Sequence, residues 1–190
     1  MPKGNKKGSA FEREICKQLS LWWSNGERDD IFWRTSGSGA RAKTRSKKGN
    51  STFGQYGDVQ ATDPIGQPLI DLCTIELKKG YSKYSFMDLI DKPENAATQV
   101  YKKFIEQAIQ DSRNAKTPMW LLITKRDRRK ALICFPFNFY KGLKDIIDVH
   151  FKKALHFTII KVPSYRICIM TLNEFLIFVN PKDVKALLYD

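Results

Sequence analysis

The sequence predicts an α/β protein: a mixed β-sheet flanked by helices, followed by a C-terminal α/β extension. Three observations lead there. Phe11, Ile15, Leu19 and Trp22 recur at helical spacing and mark one buried stripe on an N-terminal helix. Apolar runs of strand length lie at Leu69 to Lys78, Met119 to Thr124 and Lys130 to Phe135. Between the first two runs comes a long helical zone, so strand, helix and strand alternate as they do in a layered α/β domain.

The elements follow in order. Residues 1–8 form a flexible basic arm rich in Lys, Gly and Asn. A helix runs from about Ser9 to Ser24 and ends at Asn25-Gly26, and Ile31 to Thr35 is a short strand. Residues 36–56 are Gly-, Ser- and Lys-rich with almost nothing apolar, which reads as a long mobile loop. Asp58 to Ala61 and Leu69 to Lys78 read as a hairpin turning at Asp63-Pro64-Ile65-Gly66. The helical zone from Ser85 to Ser112 breaks near Lys92-Pro93, and its second part presents Ala97, Val100, Tyr101, Phe104, Ile105, Ala108 and Ile109 to the core. Further strands at Phe157 to Val162 and Arg166 to Met170, and helices at Thr171 to Val179 and Lys182 to Leu188, complete the chain. The organisation expected is therefore an arm at 1–8, a core at 9–135 and an extension at 136–190 packed on that core. The tryptophans Trp22, Trp23 and Trp33 read as core residues.

Charge narrows the partners. The 33 Lys and Arg against 20 Asp and Glu give a formal net charge of +13. Such an excess favours polyanions, nucleic acid first, because neutralising phosphates releases counterions. An anionic membrane surface is less well served, because no basic amphipathic helix faces a bare apolar stripe. No run of about 18 apolar residues is present, and the charged start has no apolar stretch behind it, which predicts a cytoplasmic protein without a signal peptide or transmembrane segment. Cys16, Cys73, Cys134 and Cys168 are scattered and form no CxxC pair. That argues against zinc and for reduced, buried thiols.

Chemistry concentrates in the acidic residues. Glu76 and Lys78 share a strand face, while Ile75 and Leu77 point into the other layer. Asp58, after Gly57, starts the neighbouring strand and can lie across from Glu76. Two carboxylates held close repel unless a cation sits between them, and Mg²⁺ is a hard ion suited to carboxylate oxygens and a substrate phosphate. Asp63 and Asp71 are poorer candidates, one in the turn and one on the opposite face. Glu12 falls within the apolar stripe of the first helix, which makes it the third carboxylate. Ser9-x-x-Glu12 also reads as a capping box, with Glu12 folded back to the Ser9 backbone.

Taken together, Lys7-Gly8-Ser9-Ala10-Phe11-Glu12-Arg13-Glu14, Trp33-Arg34-Thr35-Ser36-Gly37-Ser38-Gly39, Asp58 and Ile75-Glu76-Leu77-Lys78 resemble the archaeal-type Holliday junction resolvases of the PD-(D/E)XK nuclease superfamily. The resemblance covers roughly residues 7–80 and implies a restriction-endonuclease-like fold and a homodimer acting on four-way junctions or other branched DNA. It implies that Asp58, Glu76, Glu12 and the Leu77 carbonyl hold Mg²⁺ or Mn²⁺, with Lys78 beside the attacking water. It also implies that Arg13 and Arg34 meet phosphate and that Ser36 or Ser38 touches the DNA backbone. The chain departs from the compact resolvases in two places. Nearly twenty residues separate the Ser-Gly-Ser stretch from Asp58, and the region after about 135 has no counterpart.

The inserted stretch suits DNA. Arg41, Lys43, Arg45, Lys47 and Lys48 fall there, no acidic residue lies between Arg34 and Gly49, and Lys79 extends the basic character past Lys78. The function expected is a metal-dependent endodeoxyribonuclease, in the first instance a Holliday junction resolvase. The alternatives are a restriction, repair or nicking endonuclease of the same superfamily, or a non-catalytic DNA-binding protein on a nuclease-like scaffold.

Overall fold

The computed structural model describes residues 4–35, 56–93, 99–143 and 156–188, with side chains from residue 8 onward. Helix α1 (Gly4–Trp23) leads into β1 (Phe32–Arg34), and β2 (Val59–Ala61) follows. A 3₁₀ turn (Pro64–Gly66) and α2 (Gln67–Leu72) deliver the chain to β3 (Cys73–Lys79). Then come α3 (Asp88–Asp91), α4 (Val100–Ala115), β4 (Met119–Lys125) and β5 (Ala131–Pro136). Residues 137–143 are helical. β6 (Thr158–Val162), β7 (Tyr165–Thr171), α5 (Leu172–Phe178) and α6 (Pro181–Ala186) close the described chain.

Five strands form one mixed sheet in the order β3-β4-β5-β7-β6. β3 and β4 run parallel, joined by the stretch that contains α4, and the remaining neighbours are antiparallel. Strand alternation divides the core into two layers. Ile75, Leu77, Leu121, Ile123, Ile133, Phe135, Cys168 and Met170 face one cluster with Phe11, Ile15, Leu19 and Phe175 from α1 and α5. Trp120, Leu122, Cys134, Ile167 and Ile169 face the other, with Tyr101, Phe104, Ile105 and Ala108 from α4. A mixed sheet with helices on both faces is the restriction-endonuclease-like arrangement that the sequence predicts. β7 pairs with β5 and β6 pairs with β7, so strands beyond residue 136 continue the same sheet. The four cysteines are free and buried, as expected of small apolar residues.

Several local expectations are corrected. Helicity begins at Gly4, inside the stretch read as an arm. No hairpin joins 58–61 to 69–78: β2 pairs antiparallel with β1, placing Phe32 opposite Ala61 and Arg34 opposite Val59. The apolar run from Leu69 to Leu72 is helical, started by Pro68 in its first turn, because a short apolar run does not distinguish strand from helix by period. β3 is an edge strand of the sheet although Cys73 to Leu77 are buried, since α1 and the β1–β2 ribbon lie beside it. Trp33 is 48% exposed, on the outer side of the ribbon opposite Gln60, while Phe32 takes the inward position. Trp23 is buried, with its indole N–H donating to the Ile65 carbonyl at 2.6 Å, and Trp22 donates to the Val179 carbonyl at 2.8 Å. Arg41, Lys43, Arg45, Lys47 and Lys48, with Ser36 and Ser38, lie outside the described residues, as do Ala97 and most of the loop expected at 36–56.

Gly57 sets how the ribbon meets the sheet. Its φ is +78°, and a Cβ there would stand 2.9 Å from the Ile75 carbonyl oxygen and 3.1 Å from the Ile75 nitrogen. Backbone atoms of a sheet strand cannot yield to it. Gly57→Ala therefore combines left-handed strain with a clash, and a loss of about 1–3 kcal/mol in urea unfolding is expected. Gly26→Ala, at φ +93° with nothing within 4 Å, carries the strain alone and is the control.

Candidate active site

The site is built on the free edge of β3. β4 satisfies one edge of that strand, which leaves the other with donors and acceptors to be paired. Asp58 supplies partners for two of them. Its backbone N–H donates to the Ile75 carbonyl at 2.7 Å, and its carboxylate Oδ2 accepts the Leu77 N–H at 2.8 Å. Its own carbonyl accepts the Thr35 N–H at 3.0 Å, so the residue also fastens the end of β1. Leu77 turns its backbone groups to the Asp58 side of the strand, where its carbonyl is available to the same pocket.

Glu76 and Lys78 project from β3 toward α4. Glu76 is buried, at 2% exposure, and its Oε2 accepts from Lys78 Nζ at 2.8 Å and from Gln107 Nε2 at 3.1 Å. Burial, and after it the charge of Asp58, push the Glu76 carboxyl up to about 7 against the pull of Lys78. Burial disfavours the Lys78 ammonium, but the charges of Glu76 and Asp58 outweigh it and hold its pKa above the ordinary value. The two shifts leave Lys78 as the cationic member of the pair. The Lys78 ammonium also lies over the Phe104 ring, 5.8 Å from its centre.

Glu12 approaches from α1, on the other side of β3. Burial, followed by the fields of Glu12 and Asp58, pushes the Cys16 thiol up to about 12, so both negative charges bear on the same turn of α1. Glu12 remains 28% exposed, and its Oε2 accepts from Arg34 Nη1 at 3.0 Å. The capping-box reading fails because Ser9 sits inside α1, more than a turn past its start. Glu14, outside the stripe, pairs at the surface with Lys125 at 2.9 Å.

Asp58 and Glu76 therefore come together, and Glu12 reaches the same edge but is held by Arg34. Among the described residues, no group of three or more His, Cys, Asp or Glu side chains is gathered closely enough to hold a metal ion. The donor set nonetheless fits a hard divalent cation: two neighbouring carboxylates, one of them buried and costly to ionise, beside a strand carbonyl. Of the DNA-contact residues expected, Arg13 is exposed on α1, Arg34 is engaged with Glu12, and Lys79 lies over the Phe11 ring at 5.6 Å. Asp63 is bound to Arg28 at 2.6 Å, and Asp71 accepts from Gln67 at 2.8 Å.

Sequence reasoning passed over Gln107 and Asp111. Gln107 Nε2 donates to Glu76 and, at 3.4 Å, to Asp111, whose charge also raises the Glu76 carboxyl. Their signal was the spacing: Phe104, Gln107, Ala108 and Asp111 share one helix face, so two polar residues continue a stripe whose apolar members are buried.

The comparisons with known proteins bear on this geometry. A family model described as "Phage putative PDDEXK endonuclease" matches residues 3–186, nearly the whole chain. Comparison with curated proteins and with solved structures gave no match. The matched span contains α1, the β1–β2 ribbon, β3 with its Glu-x-Lys and the entire sheet. The chain belongs to this phage PDDEXK endonuclease family, within the PD-(D/E)XK superfamily of nucleases.

Proposed function

We propose that the protein is a divalent-metal-dependent endodeoxyribonuclease whose active site is Asp58, Glu76, Lys78 and Glu12. The observation that carries this reading is the buried Glu76–Lys78 pair beside Asp58, on the edge of a sheet in a chain of net charge +13. A protein that only bound DNA would gain nothing from burying a carboxylate next to another one where phosphate must approach.

Asp58, Glu76 and the Leu77 carbonyl would hold Mg²⁺ or Mn²⁺, with Glu12 joining directly or through water once released from Arg34. Bound there, the cation would lower the pKa of a water and offset the charge on the phosphate. Asp58 holds its carboxylate in register with β3 through the Leu77 N–H. Gln107 fixes the Glu76 carboxylate in its rotamer and leaves one oxygen outside these two bonds. Lys78 keeps a positive charge where negative charge accumulates on the phosphoryl oxygens and orients the nucleophile. Its raised pKa argues for this electrostatic role over proton removal. Arg34, released from Glu12, and Arg13 then face phosphate, and Arg41, Lys43, Arg45, Lys47, Lys48 and Lys79 add positive charge for the DNA backbone.

The resemblance to junction resolvases supports a finer reading, a homodimer that cuts four-way or other branched DNA. A restriction, repair or nicking specificity is the competing one. Cleavage of a four-way junction, a flap, linear duplex and single strand, each with Mg²⁺ and with chelator, separates them. Preference for the branched substrates is expected, and equal cutting of linear duplex removes the resolvase label. Glu76→Ala is expected to lower cleavage at least a thousandfold (about 4 kcal/mol of transition-state stabilisation) while DNA binding persists. Full cleavage by this variant would defeat the site assignment.

The raised Glu76 pKa sets a pH dependence. A carboxyl that titrates near 7 when folded and near 4.5 when unfolded stabilises the fold fully below 4.5 and loses that contribution as pH rises through 7. The shift corresponds to on the order of 3 kcal/mol. In chelator, the melting temperature of the wild type should fall from pH 5 to pH 8 relative to Glu76→Gln. Added Mg²⁺ should raise the wild-type melting temperature more at pH 8 than at pH 5, because the ligands must be deprotonated to bind. A melting curve whose Mg²⁺ response is the same at both pH values would contradict the assignment of Glu76 as a ligand.

A further inference from the structure

Beyond the catalytic strand the chain makes an unusual turn. Gly80 has φ +97° and Tyr81, directly after it, has φ +57°. Among the described residues three other non-glycine residues have positive φ: Asn25, Lys116 and Arg128. All three are polar, and they lie at two helix ends and in the β4–β5 turn. Tyr81 is the one aromatic among them, in a conformation that costs on the order of 1 kcal/mol or more for a residue of its kind. Such strain persists only when the surroundings impose it.

What the turn achieves is a position. It folds the Tyr81 ring back onto α4, where it meets Phe104 edge-on at 4.8 Å between ring centres. The same Phe104 ring carries the Lys78 ammonium at 5.8 Å from its centre, so Tyr81 and Lys78 share one aromatic neighbour. Tyr81 as a residue nevertheless remains 48% exposed. One edge of the chemistry is therefore bounded by a rigidly backed, half-open aromatic face, flanked in sequence by Lys79 and Lys83. A strand of nucleic acid laid along Lys78 brings its next nucleotide to that face.

We infer that Tyr81 is a substrate-contacting residue that stacks on an unpaired base beside the phosphate being cut. This inference rests on the site reading above and deepens it. A base within an intact duplex is already stacked and cannot reach the ring, whereas a base at a branch, flap or frayed end can. Tyr81 thereby selects DNA with an unpaired nucleotide at the cut. Stacking on an aromatic side chain commonly changes affinity by about tenfold or more per base.

The test uses the full chain with Ca²⁺ in place of Mg²⁺, and flap DNA carrying a single 2-aminopurine stepped through the nucleotides around the branch. Wild type and Tyr81→Phe are expected to quench the fluorescence at one or two adjacent positions. Tyr81→Gly should lose that quenching and bind the flap about tenfold more weakly, with its affinity for linear duplex unchanged. Glycine adopts the backbone conformation at residue 81 without strain, so the variant removes the ring while leaving the turn intact. Quenching by Tyr81→Gly equal to wild type, or no quenched position at all in wild type, overturns the inference. Cleavage by Glu76→Ala, run in parallel with Mg²⁺, reports on the underlying site. A dead Glu76→Ala together with undiminished quenching in Tyr81→Gly refutes the stacking role alone.

Discussion

Asp58 bonds the free edge of β3 twice, through its backbone N–H to Ile75 and through its carboxylate to Leu77. The sheet needs that edge satisfied, because an exposed buried-strand edge leaves polar groups unpaired and invites pairing with other chains. The same two bonds set a carboxylate beside Glu76 at a defined height along the strand. Gly57 permits the approach, since any Cβ at that point would run into the Ile75 backbone. Fold and chemistry are thus tied to one contact: loosening it would open the sheet edge and scatter the acidic residues together.

Charge organises what lies around this contact. Each acidic residue of the site is held by a cation or an amide: Glu76 by Lys78 and Gln107, Glu12 by Arg34, Asp58 by the Leu77 N–H. Glu76 still titrates near 7, because its pair with Lys78 does not compensate for burial and the neighbouring Asp58. An anion placed at such expense in a strongly basic molecule is a feature of a site rather than of a core. Glu12 and Arg34 form the partly exposed counterpart.

Much of the architecture was legible in the residues. The period of α4 and the apolar runs of β4 through β7 located those elements to within a few residues, because each buries one face or both against a layer. The shared face of Glu76 and Lys78 on β3 was legible from strand alternation, whereas Asp58 reaches that strand through its open edge and not through the hairpin expected. The β1–β2 pairing was not, because a three-residue strand carries too little pattern to name its partner. Nor was the exposure of Trp33: alternation says that Phe32 and Trp33 face opposite ways, but which side is solvent depends on what covers the ribbon.

The sequence by itself determined the class of fold, the basic character, and the shared strand face of Glu76 and Lys78. These follow from composition, period and local spacing, which act over a few residues. Tertiary structure alone decided that Asp58 sits at the β3 edge, that Gln107 braces Glu76, that Arg34 holds Glu12, and that Tyr81 and Lys78 meet the same Phe104 ring. Those relations join residues far apart in the chain, and they depend on which strand edge is left open once the sheet has paired.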